Sequence, residues 1–265
     1  MTALFVSSSI LMAKNMGEPT RVKLSTSMGD IIVALSDLTP GHRDNFVKNV
    51  KDGAYDGVLF HRVIKDFMVQ TGDPTSKTAG KGEMLGAGDH GEQIPSEIVF
   101  PKLYHKRGAI AAARTADAIN PEKKSSGSQF YIVTGKICNE SELARIEKSM
   151  QIKQQQAVFD SLAREHRAEI MNLRRNRDTL GLQTLQNKLI EETENSVKGK
   201  LFKFSPEQKS AYTTIGGTPF LDGGYTVFGE IVEGMDIIDK IQVVATDKND
   251  RPNDDIKIIK ASILK

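Results

Sequence analysis

The sequence predicts a mainly β chain, namely a closed antiparallel barrel of short strands with an α-helical hairpin inserted into one connection. Short apolar segments separated by Gly-rich turns occupy residues 20–138 and again residues 205–265, a pattern typical of β-barrels. Residues 139–204 differ, because from Asn139 to Gly199 there is no proline and Gly181 is the only internal glycine. Closure into a barrel is expected because it removes exposed sheet edges.

The first part is predicted to open with a β-hairpin and a helix. Residues 22–26 and 31–35 are β-like, and residues 27–30 between them have the composition of a turn. A helix is expected from Pro40 to Gly53, with Thr39 as the candidate N-cap. Its apolar residues at helical spacing are Phe46, Val47 and Val50.

The remaining strands are predicted from short apolar segments between polar loops. Four are expected over residues 58–69, 97–100, 108–113 and 129–134, with a Gly-rich polar loop at residues 75–91. In the last part, a β-like segment follows Pro219, a short helix spans Met235 to Ile241, and a final strand spans Ile256 to Leu264.

The inserted segment is predicted to form two amphipathic helices that fold back on each other, with Gly181 between them. Its apolar residues at helical spacing are Leu143, Ile146, Met150, Phe159, Leu162, His166, Ile170, Leu173, Leu182, Leu185 and Leu189. Three roles are open for this helical arm. It could be a solvated hairpin packed on the barrel, or a chaperone-like arm that presents unfolded chains. A phosphate contact through Arg174, Arg175 and Arg177 is disfavoured by the acidic residues around them.

Composition excludes several classes of protein. A formal charge of +2 gives no reason to expect nucleic acid, and no apolar run reaches the ~18 residues of a membrane span. The single Cys138 rules out an internal disulfide. Neither a metal nor a cofactor is expected, and we expect a monomer.

Residues 1–19 are predicted to be a leader. They resemble a signal peptide without its basic start, as if truncated, and a loosely docked leader is the alternative. Export to the periplasm or cell envelope is slightly favoured over a cytoplasmic location.

The segment from Phe60 to Pro74 is the most informative for function. Because successive side chains of a strand point to opposite faces, Arg62, Met68 and Gln70 would lie on one face. A fixed cation and a fixed amide would then border an apolar surface, without a pair of groups for acid, base or nucleophilic chemistry. Such a site is suited to hold a peptide and stabilise a twisted amide, and it is poorly equipped for hydrolysis.

Four segments in order carry a resemblance to one family. They are Phe60–Pro74, Gly108–Thr115, Ser126–Val133 and Leu221–Gly229. With them the chain resembles a cyclophilin, a peptidyl-prolyl cis/trans isomerase, over residues 20–138 and 205–265. The resemblance implies an eight-stranded antiparallel barrel closed by two helices, with its site on the outer face. It implies no cofactor, and proline-containing polypeptides as clients.

The resemblance also implies roles for individual residues. Arg62 matches the catalytic arginine, and Gln70 matches a residue that orients the peptide. The residues that match the substrate-binding positions are Phe67, Met68, Ala113, Arg114, Thr115, Gln129, Tyr131, Phe220, Leu221 and Tyr225. Three of them depart from the family pattern: Phe220 replaces a common tryptophan, Tyr225 a histidine and Tyr131 a phenylalanine. The first departure puts tight cyclosporin binding in doubt.

The leading expectation is therefore an isomerase of Xaa-Pro bonds that assists protein folding. Arg62 would stabilise the twisted amide without a covalent intermediate. One alternative is a binding module that holds proline-containing segments in the same groove with little turnover. Another is a holdase whose activity resides in the helical arm.

Overall fold

A computed structural model describes residues 18–264 of the chain. It contains eight strands: β1 (Arg21–Thr26), β2 (Gly29–Leu35), β3 (Arg62–Ile64), β4 (Met68–Thr71), β5 (Ala109–Ala112), β6 (Phe130–Val133), β7 (Val227–Glu233) and β8 (Ile258–Leu264). They form one antiparallel sheet in the order β3-β4-β6-β5-β7-β2-β1-β8. The predicted mainly β fold is therefore confirmed.

Six α-helices accompany the sheet in the described residues: α1 (Pro40–Lys51), α2 (Glu140–Glu165), α3 (Arg167–Arg175), α4 (Thr179–Val197), α5 (Pro206–Thr214) and α6 (Met235–Ile241). Two 3-10 helices span Pro74–Thr78 and Pro219–Leu221. Helices α1 and α6 cover the main core, to which they contribute Phe46, Val50, Ile238 and Ile241. Both helices lie where the sequence predicts them.

The sheet curls, so that the segment before β3 and the start of β8, at opposite ends of the strand order, come together. The backbone N–H of Phe60 donates to Ile256 (2.8 Å), and that of Ile258 donates to Val58 (2.9 Å). Leu59 forms an isolated antiparallel bridge with Lys257. Strands β3 and β8 themselves remain the two ends of the strand order, so the fold is a curled eight-stranded antiparallel sheet.

The β3–β4 hairpin follows the predicted parity. Arg62 lies opposite Gln70, while Val63 and Val69 point into the main core. The prediction of one strand over residues 58–69 is wrong in its extent, since a turn separates β3 from β4. Asp66 in that turn has a φ of 58°, in the left-handed region that Asp tolerates better than most residues.

Thr39 is the N-cap residue of α1, as predicted, but its side chain makes no capping hydrogen bond; its hydroxyl lies 3.4 Å from the Ser36 carbonyl. Instead the Glu97 carboxylate accepts from the N–H groups of Gly41 (3.0 Å) and His42 (2.9 Å) at the start of the helix. The strand predicted over residues 97–100 is absent, and the side chain of Glu97 instead caps a helix that is distant in sequence.

The helical arm starts where the composition changes but is more divided than predicted. Asn139 caps α2 in a capping box with Glu142. The chain breaks at His166 between α2 and α3, and reverses at residues 176–178 rather than at Gly181. Gly181 lies in the first turn of α4, where a Cβ would sit 2.6 Å from Leu173 Cδ2. Its role is close helix packing, and α5 is a further helix that the sequence reading missed.

The arm joins the sheet through its own apolar cluster. Leu143 of α2 and Tyr212 of α5 pack there with Tyr104, Cys138 and Phe204. Across residues 18–264, none of the helices has the length and apolar character needed to cross a bilayer. The predicted leader lies almost wholly outside the described residues, so the expectation of export stays a prediction.

Candidate active site

Most of the predicted site residues surround one cavity of about 110 Å³ on the outer face of the sheet. Its lining consists of Arg62, Phe67, Met68, Gln70, Ala113, Arg114, Tyr131, Leu221 and Tyr225. Strands β3, β4 and β6 supply four of these residues, and the segment around the 3-10 helix Pro219–Leu221 supplies the opposite wall. The volume is below the ~300 Å³ at which drug-sized ligand pockets begin, and suits one small ring.

Arg62 is held at the rim of this cavity by the sheet and by one acidic partner. Its position opposite Gln70 follows from the antiparallel register of β3 and β4. The Arg62 Nε lies 3.4 Å from an Asp250 carboxylate oxygen, and the two side chains are 43% and 42% exposed. The guanidinium is thus oriented but still open to a ligand, to which it offers a planar set of N–H donors.

Gln70 is oriented by a chain of hydrogen bonds. Its amide N–H donates to Gln129 Oε1 (3.0 Å), and the Gln129 amide donates to the carbonyls of Gly86 (3.0 Å) and Gly88. An amide nitrogen carries two N–H donors, so one donor of Gln70 is left for a ligand. Gln129 therefore acts behind Gln70 rather than in the cavity wall.

The buried Asp73 anchors this loop. Its carboxylate accepts from the N–H groups of Thr75 (2.8 Å) and Gly86 (2.5 Å). Burial alone would raise the pKa of Asp73, but hydrogen bonds from Thr75 and Gly86 hold this pKa below its usual range. Gly88 must be glycine, because a Cβ there would lie 2.2 Å from the Asp73 carboxylate. The Gly-rich loop predicted at residues 75–91 thus supports the site.

The floor of the cavity is apolar and aromatic. Met68 and Tyr131 are only 2% and 5% exposed. Tyr225 stands edge-on to Tyr131 with ring centroids 5.9 Å apart. Phe220 lies outside the cavity lining, is 48% exposed, and packs against Phe67 at 5.6 Å. At the position that the resemblance matches to a tryptophan, the chain therefore has a smaller ring that is about half exposed.

The predicted residues 113–115 divide among different tasks. Arg114 is tied to its own surroundings, because its Nε donates to the Gly224 carbonyl (2.9 Å) and its guanidinium lies over the Tyr225 ring at 4.4 Å. Thr115 is exposed and outside the cavity lining. Ala113 uses both backbone groups internally, with Gln129 and Ser126. The structure therefore brings nine of the twelve predicted residues to the cavity, and leaves Thr115, Gln129 and Phe220 outside it.

Sequence reasoning missed three residues that support the site. Asp250 faces Arg62, while His105 and Asp222 form a buried pair 2.9 Å apart beneath the floor. Local patterns gave no signal for Asp250. Asp222 stands inside a quoted motif beside Leu221, and a buried acid next to a pocket residue was the one available clue.

A larger cavity of about 650 Å³ lies elsewhere, lined among others by Leu38, Lys102, Tyr104 and Glu207. Volume alone would favour it, but it lacks an arginine and an amide converging on an apolar floor. Among residues 18–264 no group of three or more His, Cys, Asp or Glu side chains is arranged to hold a metal ion. We therefore place the candidate site at the smaller cavity.

Comparisons with known proteins agree on one family. A family model described as "Cyclophilin type peptidyl-prolyl cis-trans isomerase/CLD" matches residues 21–170 and 206–263. A Staphylococcus saprophyticus protein named as a candidate peptidyl-prolyl cis-trans isomerase is 30% identical, over 94% of this chain and 93% of its own. The human "Peptidyl-prolyl cis-trans isomerase-like 1" is 26% identical over 92% of both chains.

A solved structure shares the fold. The crystal structure of a Cryptosporidium parvum cyclophilin type peptidyl-prolyl cis-trans isomerase is 20% identical, with a TM-score of 0.53. The match covers 93% of this chain and 98% of that one.

Proposed function

The chain belongs to the cyclophilin-type peptidyl-prolyl cis-trans isomerases and is an enzyme of that type, and we propose that Arg62 is the residue that drives its catalysis. Its substrates are Xaa-Pro bonds of polypeptide chains, and the reaction needs neither a covalent intermediate nor a cofactor. The observation that carries the proposal is the convergence of Arg62 and Gln70 on a small apolar cavity.

Catalysis of this rotation requires stronger binding of the twisted state than of the planar ones, and no bond has to be made or broken. Resonance across the C–N bond creates a barrier of ~18–20 kcal/mol to rotation, so cis and trans Xaa-Pro bonds exchange over tens of seconds or longer. In the twisted state the prolyl nitrogen becomes pyramidal and regains a lone pair. An N–H donor aimed at that nitrogen stabilises the twisted state more than the planar ones, which lowers the barrier.

Each part of the site has a role in this scheme. The proline ring enters the cavity between Phe67, Met68, Tyr131 and Leu221, and is held still there. The Arg62 guanidinium donates to the prolyl nitrogen as the bond twists. The remaining N–H of Gln70, with the hydroxyl of Tyr225, orients the preceding carbonyl. Phe220 extends the apolar wall past Phe67.

The client backbone would pair with Arg114. The backbone groups of Ala113 are used internally, whereas the N–H and C=O of Arg114 make no hydrogen bond within residues 18–264. Pairing there, with Thr115 alongside, would lay an extended peptide across the cavity.

Two finer points of architecture complete the proposal. The curled sheet closes into a barrel through the hydrogen bonds between residues 58–60 and 256–258. Residues 20–138 and 205–265 form the isomerase unit, and residues 139–204 form the arm. The arm would present unfolded chains to the site. Apolar side chains that are exposed on the arm support this role, namely Ile152, Met171 and Leu180.

The direct test is the cis-to-trans rate of a short Ala-Pro-Phe-type peptide. Wild type should accelerate it, and Arg62→Ala should lower kcat/KM by roughly 100-fold, the loss typical of removing one donor to the transition state. Lys65→Ala is the matched control, an exposed cation in the same hairpin, and should leave the rate unchanged. Full activity of a folded Arg62→Ala protein would refute the role of Arg62.

A further inference from the structure

Beneath the cavity floor lies a chain of four buried polar side chains that leads to helix α5. The Tyr212 hydroxyl donates to one oxygen of Asp222 (2.6 Å). The other Asp222 oxygen accepts from the backbone N–H (2.8 Å) and from Nδ1 (2.9 Å) of His105. His105 Nε2 is 3.0 Å from the Tyr131 hydroxyl. None of the four residues is more than 5% exposed.

The donors in this chain run in a consistent order. The Asp222 carboxylate already accepts from the Tyr212 hydroxyl and from the His105 backbone N–H, so we assign Nδ1 of His105 as the donor of the bond to it. With the proton on Nδ1, the Nε2 of the same ring accepts, and the Tyr131 hydroxyl donates to it. The hydroxyl of Tyr131 is thereby held on His105, outside the cavity lining, and its ring lines the cavity. Burial raises the pKa of Tyr131, and the nearby Tyr225 raises it further by a smaller amount. The hydroxyl of Tyr131 therefore stays protonated.

Asp222 is placed to act on one wall and on the floor of the cavity. It directly follows Leu221, which lines one wall, and through His105 it holds Tyr131, which forms the floor. Within residues 18–264, Tyr212 is the only side chain that donates to the second oxygen of Asp222. A buried carboxylate oxygen that loses its donor is costly, so without the Tyr212 hydroxyl the carboxylate should shift.

Tyr212 lies within residues 205–265 but outside the four family-like segments, the last of which begins at Leu221. It lies on α5, between the arm and the 3-10 helix that bears Leu221, and packs with Leu143 of α2. Its ring lies against backbone at Gly217, where a Cβ would come within 2.6 Å of it. The pocket floor is thus connected to the base of the helical arm.

We propose that Tyr212 is a positioning residue for the proline pocket, acting through Asp222 and His105 on the ring of Tyr131. The inference rests on the proposed function, since it assigns a further residue to the same site. It also gives α5 a task in substrate binding: the helix fixes the shape of the floor against which the proline ring packs.

The test compares Tyr212→Phe with Tyr104→Phe. Tyr104 packs edge-on against Tyr212 in the same cluster, so its variant removes a neighbouring hydroxyl without touching Asp222. Tyr212→Phe should raise KM for the proline peptide about fivefold with a smaller change in kcat, as expected for loss of ground-state binding. In NMR spectra the Nδ1–H signal of His105 should shift in Tyr212→Phe and stay in place in Tyr104→Phe.

If Tyr212→Phe folds poorly, Tyr131→Phe alone still tests the hydrogen-bonded chain, because it breaks the chain at its other end and keeps the ring. If both variants fold, the double mutant tests whether Tyr212 acts through Tyr131. If Tyr212 acts through Tyr131, adding Tyr212→Phe to Tyr131→Phe should raise KM by less than twofold. A Tyr212→Phe protein with a lowered Tm but unchanged KM and His105 signal would overturn the proposal. Wild type without isomerase activity would instead refute the proposed function, and the His105 signal would still test the hydrogen-bonded chain.

Discussion

The rim and the floor of the cavity are held in place in opposite ways. The rim consists of Arg62 and Gln70, and Arg62 is 43% exposed beside an equally exposed Asp250. The floor consists of Met68 and Tyr131, which are almost completely buried. A group that acts on the twisted amide must be free to meet it, whereas a floor that receives a proline ring must already be dry and packed. Rim variants should therefore affect rate, and floor variants should affect both binding and stability.

The largest effect on stability is expected from Met68→Ala in the floor. Removal of a buried methionine side chain costs about 2–5 kcal/mol of unfolding free energy, and Met68 is 2% exposed. The same change should raise KM, because the proline ring loses its packing surface. Denaturant unfolding and peptide kinetics measure the two effects. Met84→Ala is the matched control, since Met84 is 84% exposed and should change neither. A Met68→Ala protein of wild-type stability would contradict the expectation that the floor, unlike the rim, contributes to stability.

A second test concerns His61, which is buried although it adjoins Arg62 in sequence. Burial lowers the pKa of His61 to about 4, against the opposing influence of Asp73. The unfolded chain binds a proton near pH 6.5 and the folded chain does not, so the unfolding free energy should fall as the pH drops from 6.5 to about 4. The pKa difference corresponds to a loss of about 3 kcal/mol, complete below pH 4.

Urea unfolding at a series of pH values measures this loss. His61→Gln should flatten the profile between pH 6.5 and 4, while His90→Gln, an exposed histidine, should keep the wild-type slope. Burial also lowers the pKa of His42, so part of the slope should persist in every variant. An unchanged slope in His61→Gln would show that His61 does not carry this dependence.

The sequence allowed correct prediction where its signals were local. The alternation in residues 62–70 correctly predicted that Arg62 and Gln70 share one face, and the change in composition at Asn139 correctly predicted where the helical arm starts. Predictions failed where a partner lies far along the chain. Glu97 caps a helix more than fifty residues away, and His105 meets Asp222 across 117 residues. Gly181 misled because a glycine needed for close packing looks the same in sequence as one that ends a helix.

The smallest effect is expected from Gln129→Ala, which tests whether the rim is also preorganised. Gln129 accepts the hydrogen bond that orients Gln70, so its loss should lower kcat/KM about tenfold, equal to about 1.4 kcal/mol, with little change in KM. Gln70→Ala should cause a similar loss, and the double variant should be no slower than the slower single one, because both act through one contact. Gln93→Ala, an exposed glutamine, is the control. Additive losses would mean that Gln129 meets the substrate itself, and that the rim needs no support from the loop anchored on Asp73.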